Sequence, residues 1–178
     1  MSRWLIRGLG VILVVIAVAF VAQRLFGDDA VLGTVRVPAP VATIGSGEEA
    51  VGVSASGEVV PWWPLEEEAG LPELPLTEVP KGNQLRGPAL EQVKVLVAAP
   101  DALRPYLAST GYGASGVIVE TTAGIELRFG DASQAARKWK AAAAVLADPE
   151  IEVLDYVNVI APARPAFGGS GHTLPPVP

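Results

Sequence analysis

The stretch Gly116–Ile160, GVIVETTAGIELRFGDASQAARKWKAAAAVLADPEIEVLDYVNVI, decides the fold class. Val117, Val119 and Thr121 alternate with Ile118 and Glu120, which predicts a strand over Gly116–Thr121. Ala123-Gly124 then turns the chain, and Ile125, Leu127 and Phe129 alternate with Glu126 and Arg128 in the cleanest strand pattern of the sequence. A helix is predicted over Ala132–Ala147, with Asp131 as its N-cap and Gln134 in the capping-box place. Ala132, Ala135, Ala136, Trp139, Ala143 and Leu146 share one face of it, so Trp139 is expected to anchor an otherwise small-residue face on a sheet. Arg137, Lys138 and Lys140 lie off that stripe. Asp148-Pro149 ends the helix and Ile151–Ile160 predicts a long strand. Strands and helices of this kind in one short chain give an α+β class, a mixed β-sheet domain with packed helices.

Working upstream, Pro88 suits a first helical position, and Leu90, Val93 and Val97 recur at helical spacing as far as Pro100. Asp101–Ala108 predicts a short helical turn, and Leu65–Gly87 a long loop that carries Glu66-Glu67-Glu68. That acidic triplet reads as a solvated face. Val51 and Val53, a Ser56-Gly57 turn and Val59-Val60 give a hairpin signal, and Trp62-Trp63 after it reads as core or a strand end. Residues 27–50 form a stalk or first strand, with VRVPAPVATI its most extended piece. Downstream, Pro162 and Pro165 bracket a kink before Ala166-Phe167, and residues 169–178 are expected to be a disordered Gly/Pro tail. The main domain is therefore expected over residues 51–168.

Residues 1–26 differ from everything after them. Gly8–Ala22 is uninterrupted apolar sequence, and extension to Trp4–Phe26 gives a helix of ~34 Å, enough for the ~30 Å hydrocarbon core. Arg7 and Arg24 stand near its ends, where long basic side chains reach the interface. Three of the chain's thirteen bases and none of its nineteen acids lie in residues 1–26, so the remainder holds ten bases against nineteen acids. Arg3 and Arg7 precede the apolar run, while Asp28 and Asp29 follow Arg24, which orients the N-terminus to the cytoplasm. A retained transmembrane helix is expected, with a signal peptide cleaved near Ala17-Val18-Ala19 as the alternative. Both place the rest of the chain outside the cytoplasm.

The chemistry available is narrow. An acidic balance argues against nucleic acid, whose phosphates require clustered Lys and Arg. There is no cysteine, which removes disulfides, Cys-metal sites and thiol nucleophiles, and His172 is the single histidine. Gly111, Gly113 and Gly116 spell G-x-G-x-x-G, but a strand follows where the dinucleotide fingerprint needs a helix, so this is read as a turn. GGSGH lacks the second glycine of a nucleophile elbow. No catalytic, metal or cofactor site is expected, and no small-molecule substrate; a binding or scaffolding protein is.

The order of these pieces resembles the FtsQ/DivIB cell-division proteins. Arg36, Pro40-Val41-Ala42 and Ser54-Ala55-Ser56-Gly57 are similar to the opening of that family's β domain, with Ser54 where Asp is usual. LPELPL is similar to its Leu-Pro loop, and Val117–Phe167 to its closing strand, turn, strand, helix and strand, with Asp155 kept and Asn158 near the usual Arg. The short basic N-terminus before one membrane helix fits as well. The departure is the family's POTRA domain, for which only Gly27 to about Val41 is available.

The resemblance implies a bitopic, single-pass protein of the inner membrane at the division septum, with a cytoplasmic N-terminus and no enzymatic activity. It implies partners of the FtsL/FtsB coiled-coil type and the septal peptidoglycan synthase complex. The alternative is a membrane-anchored exported binding or adhesion module unrelated to division. The mode expected is pairing of a partner strand with an exposed sheet edge. Arg164–Phe167 beside Tyr156–Ile160 is the edge expected, because Pro162 and Pro165 suit an edge and not a central strand. The partner-binding residues are then Tyr156, Asn158, Ile160, Arg164, Ala166 and Phe167, with Tyr156, Asn158 and Ile160 on the face opposite Val153, Val157 and Val159.

Overall fold

The structure is a computed structural model and describes residues 39–45, 49–61, 70–76 and 80–173. The membrane segment, Trp62-Trp63, Glu66–Glu68 and the final LPPVP lie outside the described residues. Among the described residues no helix is long and apolar enough to cross a membrane.

The fold is α+β: one nine-stranded mixed sheet with two helices, as the patterning predicts. The strands are β1 (Pro40–Ile44), β2 (Val51–Ser54), β3 (Val59–Val60), β4 (Glu73–Leu74), β5 (Leu107–Gly113), β6 (Gly116–Thr121), β7 (Glu126–Gly130), β8 (Val153–Asn158) and β9 (Ala166–Thr173). The helices are α1 (Gly87–Val97) and α2 (Ala135–Leu146). In space the strands run β3-β2-β1-β4-β5-β6-β7-β8-β9. Most neighbours are antiparallel, but β4 lies parallel to both β1 and β5, and β7 parallel to β8. Parallel pairs need a crossover, and the helices supply two of them: α1 between β4 and β5, and α2 between β7 and β8.

Both helices pack on the same face of the sheet. Their common core contains Val93, Val95 and Leu96 of α1, Val117 and Val119 of β6, Leu127 and Phe129 of β7, and Trp139, Ala142 and Val145 of α2. Trp139 is the anchor the sequence predicts. It is 1% exposed, its ring centroid lies 4.6 Å from that of Phe129, and its indole N–H donates to the Val95 carbonyl at 2.7 Å. One side chain thus joins α2, β7 and α1.

Several expectations are corrected. The helix starts at Ala135 and not Ala132, because Gln134 adopts a left-handed conformation with φ 52°. Asp131 is not its N-cap: its carboxylate accepts the Ser133 amide and the Lys138 ammonium, the latter at 2.7 Å. Lys138, expected off the buried stripe, is 3% exposed. Its ammonium also donates to the carbonyls of Phe129 and Asp131 at 2.8 and 2.9 Å, so the buried charge is fully bonded. Glu91 of α1 reaches the same loop, accepting the Ala132 amide at 2.9 Å. In α1 the buried face is Ala89, Gln92, Val93, Val95 and Leu96, while Val97 is exposed.

The segment Asp101–Ala108 holds a 3-10 turn at Arg104–Tyr106, but Leu107 already begins β5. The glycine-rich GYGASG is therefore the end of β5, a tight connection and the start of β6. Gly116 has φ 87°, and a Cβ there would fall 2.0 Å from the Gly130 carbonyl oxygen, so this hairpin end admits only glycine. Pro40–Ile44 belongs to the sheet, which extends the domain N-terminally of residue 51. At the other end, Gly169–Thr173 continues β9 and is not a disordered tail.

Candidate functional site

The sheet has two dissimilar edges. One is β3, only two residues long, and very short edge strands are one of the ways proteins avoid unwanted pairing. The other is β9, eight residues reading AFGGSGHT and bonded, among the described residues, on one side only, to β8. It contains no Lys, Arg, Asp, Glu or Pro, so the side chains that usually protect an edge are missing along it. Pro162 and Pro165 stand in the connection before it, where the Arg164 amide donates to the Ala161 carbonyl in a turn.

The ladder fixes where the expected partner-binding residues stand. Tyr156 is opposite Gly168, Val157 opposite Phe167 and Asn158 opposite Ala166. On the other side of β8, Glu126 is opposite Tyr156, Leu127 opposite Val157 and Arg128 opposite Asn158. Directly opposed residues share a face. Tyr156, Asn158 and Ala166 therefore lie together on the face away from the helices, with Glu126 and Arg128. Phe167 lies on the helix-bearing face, in the row of Leu127 and Val157. Those two are fully buried, whereas Phe167 is 47% exposed: the core row runs out to the edge beyond its cover. Ile160 and Arg164 are exposed in the β8–β9 connection, beyond the paired residues of the two strands. Ile160 lies against Gly130, and its amide donates to the Asn158 side-chain oxygen at 3.1 Å. The six residues thus gather at one edge, with Tyr156, Asn158 and Ala166 on one face, Phe167 on the other, and Ile160 and Arg164 in the connection.

The expected alternation along β8 holds for Val157 and Val159, which are buried, but not for Val153, which is 41% exposed while Leu154 is buried. The cause is a break in the ladder between Leu154 and Tyr156. There β9 spends Gly169, Ser170 and Gly171 against the single residue Asp155. The Asp155 carboxylate accepts the Gly171 amide at 2.7 Å and the Ser170 amide at 3.3 Å. Gly169 has φ 111°, and a Cβ on it would fall 2.2 Å from the Asp155 carboxyl carbon. His172 lies over Gly124, whose Cβ position is 2.7 Å from the imidazole.

Sequence reasoning did not find Arg128. Its guanidinium lies 4.3 Å from the centre of the Tyr156 ring, a cation–π arrangement, and it holds Glu126 at 2.7 Å. The alternation of β7 marks Arg128 as facing away from the core, but only the parallel pairing of β7 with β8 brings it to Tyr156.

Away from the edge, Val41, Leu71, Leu96, Pro105 and Leu107 line a small apolar recess of roughly 170 Å³, with Arg104 as its charged side chain. Arg104 is engaged by Asp101 at 3.1 Å and by the Val97 carbonyl. Among the described residues two groups have displaced acidity, Asp131 in the loop before α2 and Glu91 of α1, which meets that loop. Asp131 is lowered to about 2, mainly by its bond from Lys138 and next by that from Ser133. Glu91 is lowered by its bond from Lys94 and next by that from the Ala132 amide. Among the described residues no three His, Asp or Glu side chains gather as a metal site. Compared with known protein families and with curated proteins, the chain matches none.

Proposed function

We propose that this chain is a bitopic membrane scaffold of the bacterial divisome, of FtsQ/DivIB type. It links extracytoplasmic FtsL/FtsB-type proteins to the septal peptidoglycan synthase complex by pairing a partner strand with β9. It acts by binding and not by catalysis, from the inner membrane with its N-terminus in the cytoplasm. The observation that carries the proposal is the contrast between the two edges: a two-residue strand at one end, and an eight-residue strand without charge or proline at the other. Backbone groups along such an edge give affinity, and side chains on the two faces give selectivity. Phe167 offers an apolar contact on one face, and Tyr156 and Asn158 stand one strand further in on the other.

The turn at the start of the domain adds support. Ser54 is fully buried, and its hydroxyl oxygen accepts the Glu58 amide at 3.2 Å, the service an Asp would render there. Gly57 follows with φ 79°. The test is imaging of a fluorescently tagged chain in dividing cells. Bands at the septum are expected; a uniform envelope signal would overturn the proposal in favour of an exported adhesion module.

A further inference from the structure

We infer that Asp155 is a positioning residue that limits which part of β9 a partner strand can use. This rests on the edge-pairing reading above. In a regular strand successive amides point to opposite edges. At Ser170 and Gly171 both amides point inward to one carboxylate. One donor that would have faced the outer edge is thereby turned back into the domain, and a partner's ladder loses its bond at that place. Two successive amides closing on an anion form a concave donor site of the kind that binds anions elsewhere, and Asp155 fills it from within the chain.

The geometry leaves little freedom. The ladder break gives Asp155 the space of three β9 residues. Gly169 and Gly171 make room for it, since a Cβ on either would fall 2.2 and 2.7 Å from its side chain. The outer edge is thus divided into a regular part, Ala166–Gly168, a break at Ser170 and Gly171 held by Asp155, and a two-residue remnant, His172 and Thr173, that rejoins the β8 ladder. Docking is confined to the first, beside Phe167. Loss of the Asp155 carboxylate frees the Ser170 and Gly171 amides and lets a partner strand slip toward Thr173.

The test uses the full-length chain in lipid nanodiscs, with amide exchange followed by NMR. Asp155→Ala is expected to accelerate exchange at Ser170 and Gly171 roughly tenfold or more, as loss of a bond to a charged acceptor should. The Leu127 and Val157 amides are expected to keep their rates. Asp155→Asn, which retains one acceptor oxygen, should keep Gly171 protected and release Ser170. Unchanged rates at Ser170 and Gly171, or a uniform acceleration at all four amides, would overturn the inference.

A second arm uses the absence of natural cysteine. Ala166→Cys and Thr173→Cys variants are cross-linked to a purified FtsL/FtsB-type pair. Cross-links are expected at position 166 only, and at both positions once Asp155→Ala is added. Cross-linking at position 173 with Asp155 intact would refute the confinement and leave the scaffold reading standing. Failure to capture the pair in any variant would refute the scaffold reading and the confinement drawn from it, while the exchange rates still decide whether Asp155 holds the strand.

Discussion

Replacing Trp139 with alanine tests the centre of this architecture. The side chain is almost wholly buried, and it touches three elements at once: its own helix, the Phe129 ring on β7 and the Val95 carbonyl on α1. A buried Trp withdraws ~150–250 Å² from water, worth about 4–6 kcal/mol at ~25 cal/mol per Å². Truncations of this kind cost about 3–5 kcal/mol after partial collapse of the cavity, and the lost hydrogen bond adds ~1 kcal/mol. A loss of about 4 kcal/mol is a large part of the ~5–15 kcal/mol that holds an ordinary domain folded. In a urea titration of the full-length chain in detergent, followed by near-ultraviolet circular dichroism, the midpoint should fall by roughly 2 M. Trp139→Phe keeps most of the ring and loses only the N–H donor, so it should cost about 1–2 kcal/mol. An alanine variant within ~0.5 kcal/mol of the parent chain, the range of ordinary surface changes, would refute the packing argument. Equal losses in both variants would show that the hydrogen bond, and not the ring's packing, carries the effect.

Two further outcomes are expected. Phe167→Asp should abolish capture of an FtsL/FtsB-type pair in pulldown while the circular dichroism spectrum is kept, and removal of residues 174–178 should leave capture intact; the reverse pattern would move recognition to the Pro-rich terminus. The Asp131 carboxyl, held at about 2 against an ordinary 3.8, contributes stability that is complete above its ordinary value and is lost as pH falls toward about 2. Its carbon chemical shift should titrate in that window, and Lys138→Met should bring the midpoint back up toward the ordinary value; an unmoved midpoint would show that Lys138 is not the cause.

Some of this protein is legible in its sequence because it depends on near neighbours. β6, the Ala123-Gly124 turn and β7 follow from strict alternation around a glycine, and the two helices from apolar spacing ended by proline. The burial of Trp139 follows from its being the one large ring on a small-residue stripe, although the buried face turns out to hold Lys138, Ala142 and Val145 in place of Ala136 and Ala143. Pro162 and Pro165, read from the sequence as edge-strand residues, stand instead in the turn before β9, and the edge strand is Ala166–Thr173.

Other features were decided only by the tertiary structure, because the groups that fix them come from distant parts of the chain. β5 has almost no apolar alternation in LASTGYG; it is a strand because β4 and β6 flank it and supply its backbone partners. Lys138 is buried because the Phe129 and Asp131 carbonyls and the Asp131 carboxylate converge on it, which helical spacing cannot reveal. Gly169–Thr173 has the composition of a loose tail, yet it forms a strand: β8 offers it a ladder and Asp155 takes the two amides that the ladder leaves out. Hydrophobic period records which side of a local element is dry. It carries no record of which strand will lie alongside, and at this edge the neighbouring strand determines which groups remain free for a partner.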